Sequence, residues 1–185
     1  MIYTITFNPA IDVVVCTGDL QLGNVNRTVS QQIYYGGKGI NVSYVLKSLG
    51  RPSVAWGFLA GNMGEAFRGA LASDGIESDF VMLPAGETRI NTKLQVIAPD
   101  GSIEETALNA PGPSIGEADL AAFMEKLAAT QDGDVVIVSG AVPGNLGDAV
   151  YERILAAVSG KGVRVVVDAT GDLLLNTLAA RPFLI

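Results

Sequence analysis

A glycine-rich turn that carries one lysine constrains this sequence more than any other stretch. The turn reads Gly36-Gly37-Lys38-Gly39 and follows residues 29–35, which have the character of a β-strand. Glycines allow a ligand to approach the backbone closely, and the first N–H groups of a helix favour negative charge. The junction therefore predicts a site for an anionic or polyhydroxylated ligand. Apolar residues at helical spacing predict that a short helix follows the turn: Val42, Val45, Leu46 and Leu49.

Two familiar glycine motifs do not fit this turn. A P-loop requires Ser or Thr after the lysine, where Gly39 stands, and an earlier glycine, where Gln32 stands. A dinucleotide fingerprint requires Gly or Ala at its last position, which Val42 occupies. The turn alone leaves one alternative open, which is a tight turn that needs glycine for its shape and binds nothing.

The composition excludes several classes of function. The net charge of −7, from 12 basic and 19 acidic residues, argues against nucleic acids and anionic membrane surfaces as partners. The single cysteine, Cys16, cannot form an internal disulfide and fits a reducing compartment. The chain contains no histidine, which removes Ser-His-Asp and Cys-His mechanisms and disfavours a zinc site. No signal peptide or membrane-spanning stretch is visible, so we expect a cytoplasmic protein.

The order of predicted elements indicates an α/β fold. Residues 2–7 and 54–59 are apolar strands in the first half of the chain. After Pro111-Gly112-Pro113, continuously apolar strands at 135–138 and 163–167 alternate with amphipathic helices. Strands of this kind are typical of a parallel sheet that is covered by helices on both faces.

Two helix starts carry the pattern of a capping box. Asn62 is followed by Glu65, and Ser114 is followed by Glu117, each three residues later. In a capping box the first side chain caps the helix and the second bonds back to the first residue. We therefore expect helices to begin at these two positions.

Residues 88–97 and 102–108 predict a hairpin around Pro99-Asp100-Gly101. The first strand alternates strictly, with Arg89, Lys93 and other polar residues on one face. One interpretation is an ordinary hairpin with a solvated polar face. The other is a small sheet that presents Arg89 to a phosphate, because the planar guanidinium can bond two oxygens at once.

Several polar residues follow predicted strands, and ligands of parallel sheets bind at the carboxyl ends of strands. Asp12 and Asn41 suit sugar hydroxyls, because a carboxylate accepts hydrogen bonds and an amide both donates and accepts. Arg89 suits a phosphate. The alternatives are that Asp12, placed just beyond the first strand, only forms a turn, and that Ser139 and Asp168 only cap loops. The candidate site residues are Asp12, Gly36, Gly37, Lys38, Asn41, Arg89, Ser139 and Asp168.

Five segments in this order resemble the PfkB branch of the ribokinase-like sugar kinases, and most of all the bacterial 1-phosphofructokinases. The Gly36–Val42 stretch is the most specific of them, and the Thr-Arg-Ile-Asn stretch favours 1-phosphofructokinases over the related tagatose-6-phosphate kinases. The segments are Thr4–Asp12, Gly36–Val42, Thr88–Lys93, Ser139–Pro143 and Val167–Gly171.

The resemblance implies a three-layer α/β/α core with a mainly parallel sheet and a small β lid. Segments 12–35 and 88–108 would form the lid, and relatives often dimerise through it. The reaction would be the ATP-dependent and Mg-dependent phosphorylation of fructose 1-phosphate to fructose 1,6-bisphosphate. By resemblance, Asp168 would lie toward the Mg-ATP phosphates, and Arg89 and Ser139 near the phosphate of the sugar. The sugar itself would be held by Asp12, Gly36, Gly37, Lys38 and Asn41.

The sequence departs from the family after Ile185. Members of the family continue with a segment that begins Lys-Pro-Asn, an Asn-x-x-Glu motif for magnesium and a Gly-Ala-Gly-Asp motif that contains the catalytic base. We therefore expect residues 1–185 to be the N-terminal part of one ribokinase-like domain and to be inactive alone. The alternatives are a tagatose-6-phosphate kinase or another sugar kinase of the family, and a non-catalytic module that binds a sugar phosphate. A dinucleotide-binding protein is disfavoured by Val42.

Overall fold

A computed structural model describes residues 1–185, and it contains two β-sheets and five α-helices. A 3-10 helix, Leu178–Ala180, follows the last α-helix. In chain order the elements are β1 (Ile2–Thr6), β2 (Ala10–Thr17), β3 (Ser30–Gly36), α1 (Lys38–Ser48), β4 (Val54–Ala60), α2 (Gly61–Ser73), β5 (Glu77–Leu83), β6 (Arg89–Ile97), β7 (Ile103–Leu108), α3 (Glu117–Ala128), β8 (Val135–Ser139), α4 (Val150–Val158), β9 (Arg164–Asp168) and α5 (Gly171–Leu175).

The larger sheet is parallel and lies between two layers of helices. Its strand order is β5-β4-β1-β8-β9, so β1 is the central strand. Side chains of β4 alternate between two hydrophobic clusters, because successive residues of a strand point to opposite faces. Trp56 and Phe58 pack with α3 and α4, whereas Ala55 and Leu59 pack with α1 and α2. The predicted three-layer α/β/α core is confirmed.

The second sheet has four strands in the order β3-β2-β6-β7. Strands β2 and β6 are parallel, whereas β3 and β7 are antiparallel to their neighbours. These strands lie within residues 10–36 and 89–108, close to the segments that the resemblance assigned to a lid. Asp12 is the third residue of β2 rather than a turn residue, because pairing of β2 begins at Ala10 with both Gly36 and Arg89. The expected position of Asp12 beyond a strand end is therefore wrong.

Helix α1 faces the core with residues that its apolar pattern did not predict. Val45 is 57% exposed and Leu49 is 68% exposed. The buried residues are instead Gly39, Ile40 and Ser43. Polar side chains of β1 determine this rotation: the Ile40 N–H donates to Thr6 Oγ1 at 3.1 Å, and the hydroxyls of Thr4 and Ser43 lie 2.6 Å apart.

Both predicted capping boxes are wrong. The amides of Asn62 and Met63 at the start of α2 donate to the carboxylate of Glu87, at 3.3 Å and 2.9 Å. Helix α3 begins at Glu117, and the Gly116 amide donates to the Asp119 carboxylate at 3.3 Å. A carboxylate near the N-terminus of a helix is favourable wherever it comes from in the sequence. Glu87 reaches α2 because the next residue, Thr88, exchanges two hydrogen bonds with Ala60.

The close packing of α1 on β1 predicts a stability loss in Gly39→Ala. A β-carbon at Gly39 would lie 2.6 Å from both the Ile5 carbonyl oxygen and Thr6 Oγ1. We expect the free energy of unfolding to fall by about 2 kcal/mol, which is typical of overpacking. Urea unfolding monitored by the fluorescence of Trp56 would measure it.

Gly69→Ala is the matched control, because Gly69 lies inside α2 with nothing within 4 Å of its would-be β-carbon. We expect this variant to gain about 0.5–1 kcal/mol from helix propensity. If Gly39→Ala were as stable as Gly69→Ala, the close approach of α1 to β1 would not matter for the fold.

Candidate active site

The structure divides the candidate residues among three places. One pocket is shared by Asp12, Gly36 and Asn41, a second group lies at the ends of β8 and β9, and Arg89 lines a separate pocket beside Ala110. A pocket of about 700 Å³ lies against the polar face of the second sheet, and Asp12, Gly36, Asn41 and Lys93 are among its lining residues. Two further carboxylates, Asp74 and Glu105, and the phenol of Tyr44 also line this pocket. The structure therefore brings Asp12, from the second sheet, to the same pocket as Gly36 and Asn41 of the glycine-rich turn and α1.

Packing alone explains two of the three glycines in the turn. Gly37 has φ = 144°, and a β-carbon there would lie 2.6 Å from Thr6 Cγ2. Gly39 lies against the backbone of β1, as described above. At Gly36 the nearest atom to a β-carbon would be Asn41 Oδ1, at 3.7 Å, which is ordinary contact. Packing therefore requires glycine at positions 37 and 39. It does not require glycine at position 36, which lines the pocket.

The Asp12 carboxylate is held by two side chains of β6. Asn91 Nδ2 donates to Asp12 Oδ1 at 2.9 Å, and Lys93 Nζ lies 3.5 Å from Asp12 Oδ2. Asn91 is only 6% exposed, and its Oδ1 accepts the Ala110 N–H at 3.1 Å. The alternating polar face of β6 therefore contacts the carboxylate and is not simply solvated.

Arg89 binds backbone carbonyls with both of its terminal nitrogens. Nη1 donates to the Ala110 carbonyl oxygen at 3.2 Å, and Nη2 donates to the Asn8 carbonyl oxygen at 2.9 Å. Nε is buried and has no partner. Burial lowers the pKa of Arg89, and the charge of Asp12 opposes that effect. Each Nη donates one N–H to a carbonyl, so the second N–H of each Nη and the N–H of Nε are the donors left for a ligand.

Lys38, Ser139 and Asp168 form a second group at the ends of β8 and β9. Ser139 pairs in register with Asp168, whose Oδ1 lies 3.4 Å from Lys38 Nζ. The Ser139 side chain is buried at 1% exposure, and its hydroxyl has no hydrogen-bond partner. The next residue, Gly140, has φ = 96°, and a β-carbon there would lie 3.4 Å from the side chain of Lys38.

Tyr151, in α4, fixes the loop that follows β8. Its hydroxyl donates to the Gly140 carbonyl oxygen at 2.9 Å. Burial and the nearby charge of Asp168 raise its pKa, so the phenol stays protonated and keeps donating. The loop after β8 is therefore fixed where it passes Lys38.

Sequence reasoning missed four residues that build the site. Asn8 lies within the Thr4–Asp12 segment and has no predicted role, yet its carbonyl binds Arg89 and its Nδ2 donates to the Pro111 carbonyl at 2.9 Å. Asn91 was placed on the correct face but given no partner. Tyr44 and Asp74 were not singled out; the Tyr44 hydroxyl donates to Asp74 at 2.5 Å, and burial together with this bond raises the pKa of Tyr44 to about 12.

The site offers hydrogen-bonding groups and a few cations rather than a metal centre. No group of three or more Asp, Glu, Cys or His side chains is arranged to hold a metal ion. No helix is both long enough and apolar enough to cross a membrane.

The sequence resembles those of known carbohydrate kinases. The sequence matches the pfkB family of carbohydrate kinases over residues 5–185. It is 39% identical over 184 residues to a 1-phosphofructokinase of Bacillus subtilis, covering 100% of this chain and 58% of that protein. It is 32% identical over 185 residues to a D-tagatose-1-phosphate kinase of Bacillus licheniformis, covering 100% of this chain and 59% of that protein.

A solved structure shows the same fold. Phosphofructokinase-2 from Escherichia coli, crystallised in complex with fructose-6-phosphate, superposes with a TM-score of 0.87 at 26% identity. The match covers 97% of this chain and 58% of that one. The chain therefore spans a little under three fifths of the length of the proteins it matches.

The unpartnered hydroxyl of Ser139 predicts an unusual effect of Ser139→Ala. A buried polar group without a partner costs about 1–3 kcal/mol, so its removal should leave the free energy of unfolding unchanged or raise it by about 1 kcal/mol. Ser53→Ala is the control, because the buried Ser53 hydroxyl does donate, to Ser43 at 3.2 Å. We expect that control to lose about 1 kcal/mol in the same urea titration. A larger loss in Ser139→Ala than in Ser53→Ala would show that Ser139 has a structural partner.

Proposed function

Because the chain belongs to the PfkB family of carbohydrate kinases, we propose that it forms the sugar-binding part of a kinase that phosphorylates fructose 1-phosphate with ATP to give fructose 1,6-bisphosphate. The observation that carries the proposal is the Asp12 carboxylate, held by Asn91 and Lys93 and facing Gly36 and Asn41 across one pocket. The similarity to named 1-phosphofructokinases supports the choice of sugar phosphate.

The charges of the pocket support separate positions for the sugar and for its phosphate. Asp12, Asp74 and Glu105 outnumber the single cation, Lys93, in the pocket wall. Carboxylates accept hydrogen bonds from hydroxyls but repel a phosphate. We therefore place the hydroxyls of the ketose at Asp12 and Asn41.

The phosphate of the sugar belongs nearer the second group of residues. Arg89 Nε and the Ser139 hydroxyl are buried donors without a partner, and an oxyanion is an acceptor that suits either of them. Lys38 adds a cation at the start of α1, where the N–H groups of Lys38 and Gly39 have no partner within the helix. The anionic part of the ligand is thereby held by donors rather than by the acidic pocket.

Asp168 fits the side of Mg-ATP. It is exposed at the carboxyl end of β9 and lies beside Lys38, and magnesium bound to phosphates uses one or two carboxylates. When bound, Mg-ATP supplies the phosphoryl group, and the metal neutralises charge that spreads over its oxygens. The residues of this chain would bind and orient the sugar so that its 6-hydroxyl, at the opposite end from the 1-phosphate, faces the phosphoryl group that is transferred. None of them is assigned as the base that accepts the proton of that hydroxyl.

We infer that the second sheet acts as a lid and as a dimer surface. As a lid it would exclude water and limit hydrolysis of ATP. The sheet and the loop before β3 expose large apolar side chains, and a second copy of the sheet would cover them. The exposed residues are Val25, Val29, Ile33, Ile90, Ile103 and Leu108. A cytoplasmic location fits a substrate and a cofactor of this kind.

One alternative substrate has support from a relative. D-Tagatose 1-phosphate differs from fructose 1-phosphate only in configuration at C4, and a D-tagatose-1-phosphate kinase is among the proteins that the chain resembles. The two substrates share the 1-phosphate and the 6-hydroxyl. Discrimination would come from hydroxyl contacts, since a site built to bond one hydroxyl rejects an analogue that cannot offer it.

Steady-state kinetics of the protein expressed from its complete gene would test the proposal. We expect kcat/KM for fructose 1-phosphate to exceed that for fructose 6-phosphate and for unphosphorylated fructose by at least about 100-fold, because each lost charge-assisted contact costs about 1.5–3 kcal/mol. A higher kcat/KM for D-tagatose 1-phosphate would replace the substrate and keep the reaction. Calorimetric binding of fructose 1-phosphate without transfer from ATP would instead indicate a non-catalytic binding module.

A further inference from the structure

A continuous chain of hydrogen bonds joins Asp12 to Arg89. Asn91 Nδ2 donates to Asp12 Oδ1 at 2.9 Å, and Asn91 Oδ1 accepts the Ala110 N–H at 3.1 Å. The carbonyl oxygen of the same residue, Ala110, accepts Arg89 Nη1 at 3.2 Å. Arg89 Nη2 then reaches the Asn8 carbonyl oxygen at 2.9 Å. Ala110 therefore links the two side chains: its N–H binds Asn91, and its carbonyl oxygen binds Arg89.

Asn91 is the only group in this chain that fixes the orientation of the carboxylate. The other partner of Asp12 is Lys93, whose Nζ lies 3.5 Å away at the end of a flexible side chain that is 35% exposed. An ammonium on a flexible stem is a point charge that imposes little direction. The amide of Asn91 is buried and bonded at both ends, so its donor cannot turn away from Asp12 without breaking a buried bond.

We propose that Asn91 is a positioning residue that holds the Asp12 carboxylate toward the sugar and sets its distance from Arg89 through the backbone of Ala110. This inference rests on the proposed function, because it takes Asp12 as a ligand of the sugar and Arg89 as a ligand of the phosphate. It adds that Asn91 fixes the distance between the side chain that binds the sugar and the side chain that binds the phosphate. The consequence is that loss of Asn91 weakens binding of the sugar phosphate without changing the ATP side of the site.

Gln95 offers a matched control on the same strand and the same face. It also bridges strands with its amide, accepting from Cys16 Sγ at 3.1 Å and donating to Glu105 Oε2 at 2.9 Å. Gln95 lies four residues after Asn91 on β6, and it pairs with Cys16 rather than with Asp12. A purely structural role for these amides predicts that the two positions behave alike, whereas a positioning role predicts a kinetic effect at Asn91 alone.

Asn91→Asp is the sharpest single change. The carboxylate keeps the shape and the acceptor for the Ala110 N–H, and it replaces the donor to Asp12 with a second negative charge. We expect KM for fructose 1-phosphate to rise at least about 10-fold, as for loss of a hydrogen bond to a charged group. KM for ATP should stay within twofold, and kcat should change less than threefold. Gln95→Glu, which places a second carboxylate beside Glu105, should leave both KM values within twofold. Equal KM values for fructose 1-phosphate in Asn91→Asp and the parent would overturn the inference.

A double-mutant cycle tests whether Asn91 acts through Asp12. Asn91→Ala should raise KM for fructose 1-phosphate at least about 10-fold in the parent but less than twofold in an Asp12→Ala background. The same factor in both backgrounds would mean that Asn91 acts independently of Asp12, which contradicts the inference. Thermal unfolding of each variant shows whether it is folded, and Asn91→Asp serves if Asn91→Ala is not.

The outcome for the inference can be separated from the outcome for the proposed function. Calorimetry gives the dissociation constant for fructose 1-phosphate in the parent and in the same variants, and this comparison does not require turnover. A parent that binds the sugar phosphate but transfers no phosphoryl group would refute the kinase proposal, while the dissociation constants would still decide the role of Asn91. A parent that binds no sugar phosphate would overturn both.

Discussion

The contact between β1 and the first turn of α1 is the interaction on which the rest of the structure depends. Thr6 Oγ1 accepts the Ile40 N–H, and Gly39 lies against the backbone of Ile5. Since β1 is the central strand of the main sheet, this contact fixes α1 relative to both neighbouring strands. It also fixes the glycine-rich turn, because Gly37 packs on the methyl group of Thr6. The position of Asn41 and Lys38 is thus set by the core and does not depend on a ligand.

Four connections join the second sheet to the core: one is the glycine-rich turn between β3 and α1, and the other three are tied together by side-chain hydrogen bonds. The chain leaves β1 at Asn8, returns toward β6 at residues 87–89, and leaves β7 at Ala110. Arg89 bonds the carbonyls at the other two of these three connections, and Glu87 and Thr88 attach the middle connection to α2 and β4. A movement of this sheet over the pocket would have to change the bonds of Arg89. The residue proposed to bind the phosphate is therefore also the residue that holds the base of the lid, and binding and closure would share one side chain.

The parts of the structure that could be predicted from sequence are those with a local signal. Continuous apolar runs predicted the parallel strands, and strict alternation in residues 89–97 placed Asn91 and Lys93 on the polar face that contacts Asp12. The predictions were wrong where residues distant in the sequence determine the local structure. The rotation of α1 is set by Thr4 and Thr6, and the cap of α2 comes from Glu87. The start of β2, and so the position of Asp12, is set by its pairing with β3 and β6. A local sequence pattern does not predict these features, because they depend on hydrogen-bond partners in another element.

Amide hydrogen–deuterium exchange with and without fructose 1-phosphate would show where the ligand binds. We propose that the sugar phosphate binds between the glycine-rich turn and the polar face of the second sheet, and that it contacts the connections around Arg89. We expect slower exchange in residues 34–41, 88–92 and 109–112, with β5 and α3 unchanged as internal references. Slower exchange confined to other parts of the chain, or no change at saturating ligand, would contradict it.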